Sequence, residues 1–264
     1  NYTGSGNTGI GRSTGQRQTG DNNFFGGAYA GQGNGNNPAA DSGSYNTALG
    51  AYAMTLLANG NNNTAVGYFA LFSDSSGGYN TTIGVEASSQ GDTASYTTSV
   101  GYRSLQFNDR SGNTALGTFS GSQNSRGTSN PLHGTENTIV GYAAMYGNSW
   151  GSKNAVLGYR AMGMLNPTIN GYITAAPSRN VAIGDSALYN NRGNDNIGIG
   201  YLAAATQDNF ASQNVVVGSK ALFSNTTGSG KTAIGHEALF ADTMTTIIGE
   251  TAVGYHAMRN STNS

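Results

Sequence analysis

Apolar and polar positions along this chain follow one short phrase, complete in Asn63-Thr64-Ala65-Val66-Gly67-Tyr68-Phe69-Ala70-Leu71. Its glycine is read at 11, 26, 50, 67, 84, 101, 117, 141, 158, 184, 200, 218, 235 and 254. Most intervals lie near 17 residues, too short for a helix pair and suited to one coil of a β-solenoid. The residue before the glycine is apolar in all fourteen copies, from Ile10 and Phe25 to Ile234 and Val253. Three before it stands Thr in nine copies, and four before it stands Asn in eleven. Short β-branched runs bounded by turn formers predict strands. Alternation puts positions −1 and −3 on one face and the mostly small position −2 on the other. The always-apolar −1 column is expected to face the coil interior, taking the Thr column with it. That leaves the −2 column and the Ala column at +3 as apolar surface for neighbouring copies of the chain to cover.

The glycine is expected to permit a bend that a Cβ would resist. After it, position +1 is often Tyr (Tyr68, Tyr102, Tyr142, Tyr159, Tyr201, Tyr255), and position +2 carries charges at Glu86, Arg103, Arg160, Lys220 and Glu237. Stacking would set Glu86 beside Arg103 and Lys220 beside Glu237. The Asn column has two readings, a stacked amide ladder at a coil corner or a plain turn preference.

These elements predict an all-β fold, a parallel β-solenoid (β-roll) of about fourteen coils, in one domain over residues 1–264. Three intervals are longer, placing insertions near 32–45, 122–136 and 163–179, which hold all four prolines. Proline cannot donate to a strand ladder, so it is expelled from the stack. The insertions are expected to protrude and to carry recognition.

Composition changes the picture in a few places. Charged residues are 9%, against roughly 25% in ordinary domains, so ordering must come from the repeat. A net charge of −1 provides no footprint for nucleic acid or an anionic membrane. There is no cysteine for disulfide or thiol chemistry, and no apolar run near the ~20 residues of a membrane span. The chain opens on Asn1 and is read as a processed product or the ordered part of something longer.

The phrase, with Asn46-Thr47-Ala48-Leu49-Gly50, Asn113-Thr114-Ala115-Leu116-Gly117 and Thr251-Ala252-Val253-Gly254-Tyr255-His256-Ala257-Met258, resembles the YadA-like heads of trimeric autotransporter adhesins. It is still more similar to the related repeats of phage tail fibres and bacterial surface proteins. The resemblance covers essentially the whole chain. It implies a left-handed roll, a homotrimer around one axis, an extracellular place on a virion tail or bacterial cell surface, and a role in attachment. Tail-fibre relatives lead into a self-trimming chaperone cleaved after Ser, with which the final Ser264 is consistent. The chain departs from the adhesin heads in its longer coil and its insertions.

Several strings imitate catalytic motifs without their context. Gly228-Ser229-Gly230-Lys231-Thr232 lacks the leading glycine of a phosphate loop and opens a strand where a helix is needed. His236-Glu237 starts a zinc-protease string, but Phe240 fills the second histidine position. His133, His236 and His256 are read as too far apart in register to form a ligand set, so no metal, cofactor or enzymatic activity is expected. The expected function is a structural fibre segment that attaches to a surface receptor, glycan or protein. Arg126, His133, Tyr172 and Arg179 in the insertions, with Trp150, the single Trp, in a nearby turn, are the candidate ligand-binding residues. A passive stalk with no ligand is the alternative. Ice binding is a minor one, disfavoured because the Thr column is expected to point inward.

Overall fold

The structure, a computed structural model, describes residues 4–33, 41–91, 93–123, 134–147, 150–163, 168–169, 172–173, 176–206, 211–225, 228–241 and 249–260. The chain divides into two compact units, Asn1–Arg126 and Gly127–Ser264, with the boundary inside the second insertion. The architecture is the expected all-β parallel solenoid, with fourteen three-residue strands and no helix among the described residues.

In the first unit the strands are β1 (Thr8–Ile10), β2 (Phe24–Gly26), β3 (Thr47–Leu49), β4 (Thr64–Val66), β5 (Thr81–Ile83), β6 (Thr98–Val100) and β7 (Thr114–Leu116). Each pairs in parallel with the next, so Thr47, Thr64, Thr81, Thr98 and Thr114 share one register column. The second unit holds β8 (Thr138–Val140), β9 (Ala155–Leu157), β12 (Val181–Ile183), β13 (Ile197–Ile199), β14 (Val215–Val217), β15 (Thr232–Ile234) and β16 (Thr251–Val253), paired likewise. Two further strands, β10 (Thr168–Ile169) and β11 (Tyr172–Ile173), form an antiparallel pair inside the third insertion. An Asn-Gly pair between two short β-branched or aromatic runs is a hairpin signal that could have found it.

The register differs from expectation at the second repeat. Phe24, Phe25 and Gly26 pair with Thr47, Ala48 and Leu49, so Gly27 is the repeat glycine and Gly26 occupies position −1. The shift places Asn23 in the Asn column, Phe25 in the core and Ala30 in the Ala column. All three are fully or almost fully buried.

The faces of the strand are inverted relative to expectation. Position −2 faces the interior: Ala48, Ala65, Thr82, Ser99, Ala115, Ile139, Ala182, Val216 and Ala233 are fully buried. Ala at +3 and Leu or Met at +4 lie opposite them, including Ala53 with Met54, Ala144 with Met145 and Ala221 with Leu222. The −1 residues face outward, with Leu116 40%, Ile83 42% and Leu157 49% exposed. The reason is width. A coil this short encloses a slot that small residues at −2 and +3 and one larger side chain at +4 fill, and over-packing a dense interior is costly. Where the slot turns polar at β6 and β7, Ser99 Oγ donates to the Ser104 carbonyl at 2.8 Å and the Ser104 and Ser120 hydroxyls lie 2.9 Å apart, whereas the buried hydroxyls of Thr82 and Ser88 one coil earlier have no partner among the described residues.

Backbone geometry explains why these turns stack. Positions +2 and +4 hold left-handed residues, most of them not glycine, as in Phe69 (φ 54°) and Leu71 (φ 49°). The Phe69 N–H donates back to Ala51 and the Leu71 N–H donates forward to Ala87. Each left-handed residue costs about 1–2 kcal/mol, offset by the hydrogen bond it makes possible. At the repeat glycine itself, Gly67 has φ 141°, and an added Cβ would overlap the Gly84 carbonyl.

The Asn column is an amide ladder. Asn46 Oδ1 accepts from the Asn63 N–H at 2.9 Å, and Asn63 Oδ1 accepts from the Asn80 N–H at 2.9 Å. Each side-chain amide also donates to a turn carbonyl, Asn46 to Gly60 and Asn63 to Gly77. The ladder continues in the second unit through Asn137, Asn154, Asn180, Asn196 and Asn214. Pro177 supplies the turn carbonyl for Asn154 at 2.9 Å, so this proline sits in a regular coil slot and not in a protruding loop.

Candidate functional site

Stacked coils turn sequence positions into columns of side chains. In the first unit the +2 column reads Tyr29, Tyr52, Phe69, Glu86, Arg103. Tyr29 stacks on Tyr52 with centroids 5.0 Å apart, and Tyr52 on Phe69 at 4.9 Å. Tyr68 meets Phe69 edge-on at 4.5 Å, and Phe72 lies 4.6 Å from Phe69. Below this cluster Glu86 accepts from Arg103 Nε at 2.7 Å, the expected neighbour pair, and from Gln106 Nε2 at 3.1 Å.

These residues border a groove of about 400 Å³ lined by Tyr68, Phe69, Phe72, Ser73, Glu86, Ser89 and Gln90. One wall is aromatic and the other is polar. Tyr68 is 47% exposed, and Phe69, Phe72 and Glu86 are half-buried, so ring faces and a carboxylate remain available at the surface. Ser73 Oγ donates to the carbonyls of Ser89 and Gly91, which ties the groove floor across two coils. A concave patch with aromatic walls and a few fixed polar groups is the general form of a small-ligand site.

None of the residues expected from the sequence to bind ligand is among those lining this groove. Arg126 and His133 fall outside the described residues. Tyr172 lies in β11. Trp150 is half-buried in its turn, where its carbonyl accepts from the Gly134 N–H at 3.1 Å. Arg179 is in a regular coil slot with φ 58°, and its guanidinium grips Asp195 of the next coil through Nε at 2.7 Å and Nη2 at 2.8 Å. That hydrogen bond, with the charge attraction behind it, raises the Arg179 pKa and lowers that of Asp195. Arg179 belongs to an exposed column at position −5, left-handed throughout, that also carries stacked Tyr79 and Tyr96 (5.2 Å) in the first unit.

Two histidines expected to be far apart come together. His236 at +1 and His256 at +2 of the following coil lie with their ring centroids 5.6 Å apart, and His256 Nε2 is 3.2 Å from Glu237 Oε2. The two histidines hold different positions within their coils, but adjacent columns on adjacent coils are neighbours.

No known protein family, curated protein or solved structure matches this chain. The class it belongs to follows from its own geometry: it is a parallel β-solenoid repeat protein. No helix among the described residues is long and apolar enough to cross a membrane.

Proposed function

We propose that this chain is a structural attachment segment of an extracellular fibre, on a phage tail or bacterial surface, that binds carbohydrate in the Tyr68–Phe69–Phe72 groove. The groove carries the reading. Aromatic faces pack on the C–H patches of a sugar ring, while Glu86 and Gln90 offer groups for its hydroxyls. The resemblance of the repeat phrase to adhesin-head and tail-fibre repeats supports the fibre setting. The segment is read as non-enzymatic, since no acid–base or nucleophile constellation lines the groove.

The outward −1 face supports assembly as a homotrimer. Leu49, Ile83 and Leu116 repeat along it with the axial period of the coils, and a second copy of the chain has that same period. Three copies closing around one axis would cover the face on every chain.

The test is a glycan array probed with the intact protein and with Phe69→Ala and Phe72→Ala. Wild-type binding lost in both variants, with an unchanged melting temperature, supports the reading. A purified assembly that binds no glycan, from a particle that still attaches to cells, favours the passive stalk.

One observation favours a second use of the same outward face. Thr81 and Thr138 are exposed, and Thr47, Thr64, Thr98 and Thr114 are half-exposed, which removes the objection that the Thr column points inward. Thermal hysteresis in a monomeric sample would favour ice binding; its absence in a stable trimer excludes it.

A further inference from the structure

We propose that His236, Glu237 and His256 form a binding site for a divalent first-row transition ion of the zinc class. One donor atom from each of the three lies within 4.8 Å of the others. The residues come from two successive coils, positions +1 and +2 after Gly235 and position +2 after Gly254. Their backbones are held in place: β15 and β16 pair in register, the His256 N–H donates to the His236 carbonyl at 2.9 Å, and the Glu237 N–H donates to Ser219 at 3.0 Å. Tyr255 stacks on both rings, on His256 at 3.9 Å and on His236 at 5.3 Å.

The corresponding columns in the first unit show what is different here. There Val85 and Glu86 stand beside Tyr102 and Arg103, and the guanidinium that answers the carboxylate comes from the +2 column at 2.7 Å, whereas Glu237 meets that of Arg259, three residues further along the coil, at 2.6 Å. In the second unit the arginine position is His256 and the valine position is His236. The exchange brings two imidazole nitrogens to the same carboxylate. Two nitrogens and one oxygen suit zinc, copper(II) or nickel(II), whereas calcium and magnesium take oxygen donors. Three protein ligands leave a fourth position open to water.

Ligand atoms around a tetrahedral ion with bonds of about 2.0–2.1 Å stand about 3.3 Å apart. His256 Nε2 and Glu237 Oε2 are already at 3.2 Å. The His236 side chain is exposed, so a rotation can close the remaining distance. Arg259 Nε lies 2.6 Å from Glu237 Oε2 and holds the carboxyl below its ordinary range. Arg259 therefore competes with a cation for the carboxylate, and Lys220, at position +2 one coil earlier, adds a second positive charge to the same column.

The experiment is calorimetric titration of the untagged whole protein with zinc chloride, paired with the visible absorption of the cobalt(II) form. One zinc per chain is expected, with a cobalt spectrum of low-coordinate type. His236→Ala and His256→Ala should each weaken zinc by at least about tenfold, the smaller loss that even an outer-sphere contact causes at metal sites. Arg259→Gln should tighten it. Far-UV circular dichroism confirms that each variant folds, and Glu237→Gln serves if a histidine variant does not. Zinc uptake unchanged in both histidine variants, calcium competing equally with zinc, or no uptake at all overturns the proposal.

Discussion

The ammonium of Lys231 lies 3.2 Å from the carboxylate of Glu250, with the lysine fully buried and the glutamate nearly so. The two residues occupy successive positions of the column that carries Asn in eleven repeats. The Lys231 N–H still donates to Asn214 Oδ1 at 2.9 Å, so the ladder is entered normally and then replaced by an ion pair. The Lys231 side chain fills the space where a Cβ on Gly228 would stand.

Removing one partner of a buried pair leaves the other charge unanswered, a loss of about 3–5 kcal/mol. Lys231→Ala and Glu250→Ala are each expected to lose that much in urea denaturation. The double change Lys231→Asn with Glu250→Asn rebuilds the amide ladder and should be more stable than either single alanine variant. A cost below about 1 kcal/mol for Lys231→Ala would show that the pair is not closed off from water.

Gly67→Ala tests the coil bend. At φ 141° the alanine is strained, and its Cβ would overlap the Gly84 backbone, which no side-chain rotation relieves. A loss of about 3 kcal/mol or more in chemical denaturation is expected. Wild-type stability in this variant would mean that the coils can move apart.

The direction in which the strands face can be tested with one residue from each of the neighbouring strands β4 and β5. Ala65→Leu should cost about 1–3 kcal/mol by over-packing the slot. Ile83→Lys, on the outward face, should leave the monomer folded and abolish the proposed trimer, read by light scattering. The opposite pattern would return the −1 column to the interior.

Asp195 has its carboxyl held below the ordinary 3.8 by the Arg179 hydrogen bond. A depressed pKa contributes stability that is present above the unfolded value and lost as pH falls through the folded one. Because the pair is exposed, its effect on stability is small and screened by salt. The expected observation is a carboxyl titration by NMR below 3.8 that moves upward in Arg179→Ala. An unmoved titration would assign the shift to another group.

The period, the strand positions and the Glu86–Arg103 pair were legible in the sequence because a stack of coils reports each position many times. The facing of the strand was not. Strong alternation gives two faces but not their sides, and hydrophobicity at −1 outweighed the better cue, the small size of Ala48, Ala65 and Ala115. The slip at Gly26 had a cost in the site. With the glycine misplaced by one, Tyr29 left the +2 column, and the run Tyr29, Tyr52, Phe69 could not be seen as a stack. His236 and His256 were missed for a related reason, since they occupy different columns and meet only across a coil step. Arg179 looked like insertion chemistry because the boundary at which the third insertion rejoins the coil is marked by Pro177, which in the fold serves the Asn ladder.

The alternating direction of the turn hydrogen bonds bears on how this chain can change in length. Phe69 bonds to the coil before and Leu71 to the coil after, and coils of sixteen and eighteen residues keep these directions, with Phe119 still donating back to Tyr102 and Lys220 to Tyr201. A gain or loss of one full coil disturbs none of them. Excising the seventeen residues 63–79 would bring Asn80 to the Oδ1 of Asn46 with each column intact. What stays constant is the column of each position: a one-residue change is absorbed in the polar turn, and a unit can be extended or trimmed by duplication or deletion of entire repeats without any new side chain being required.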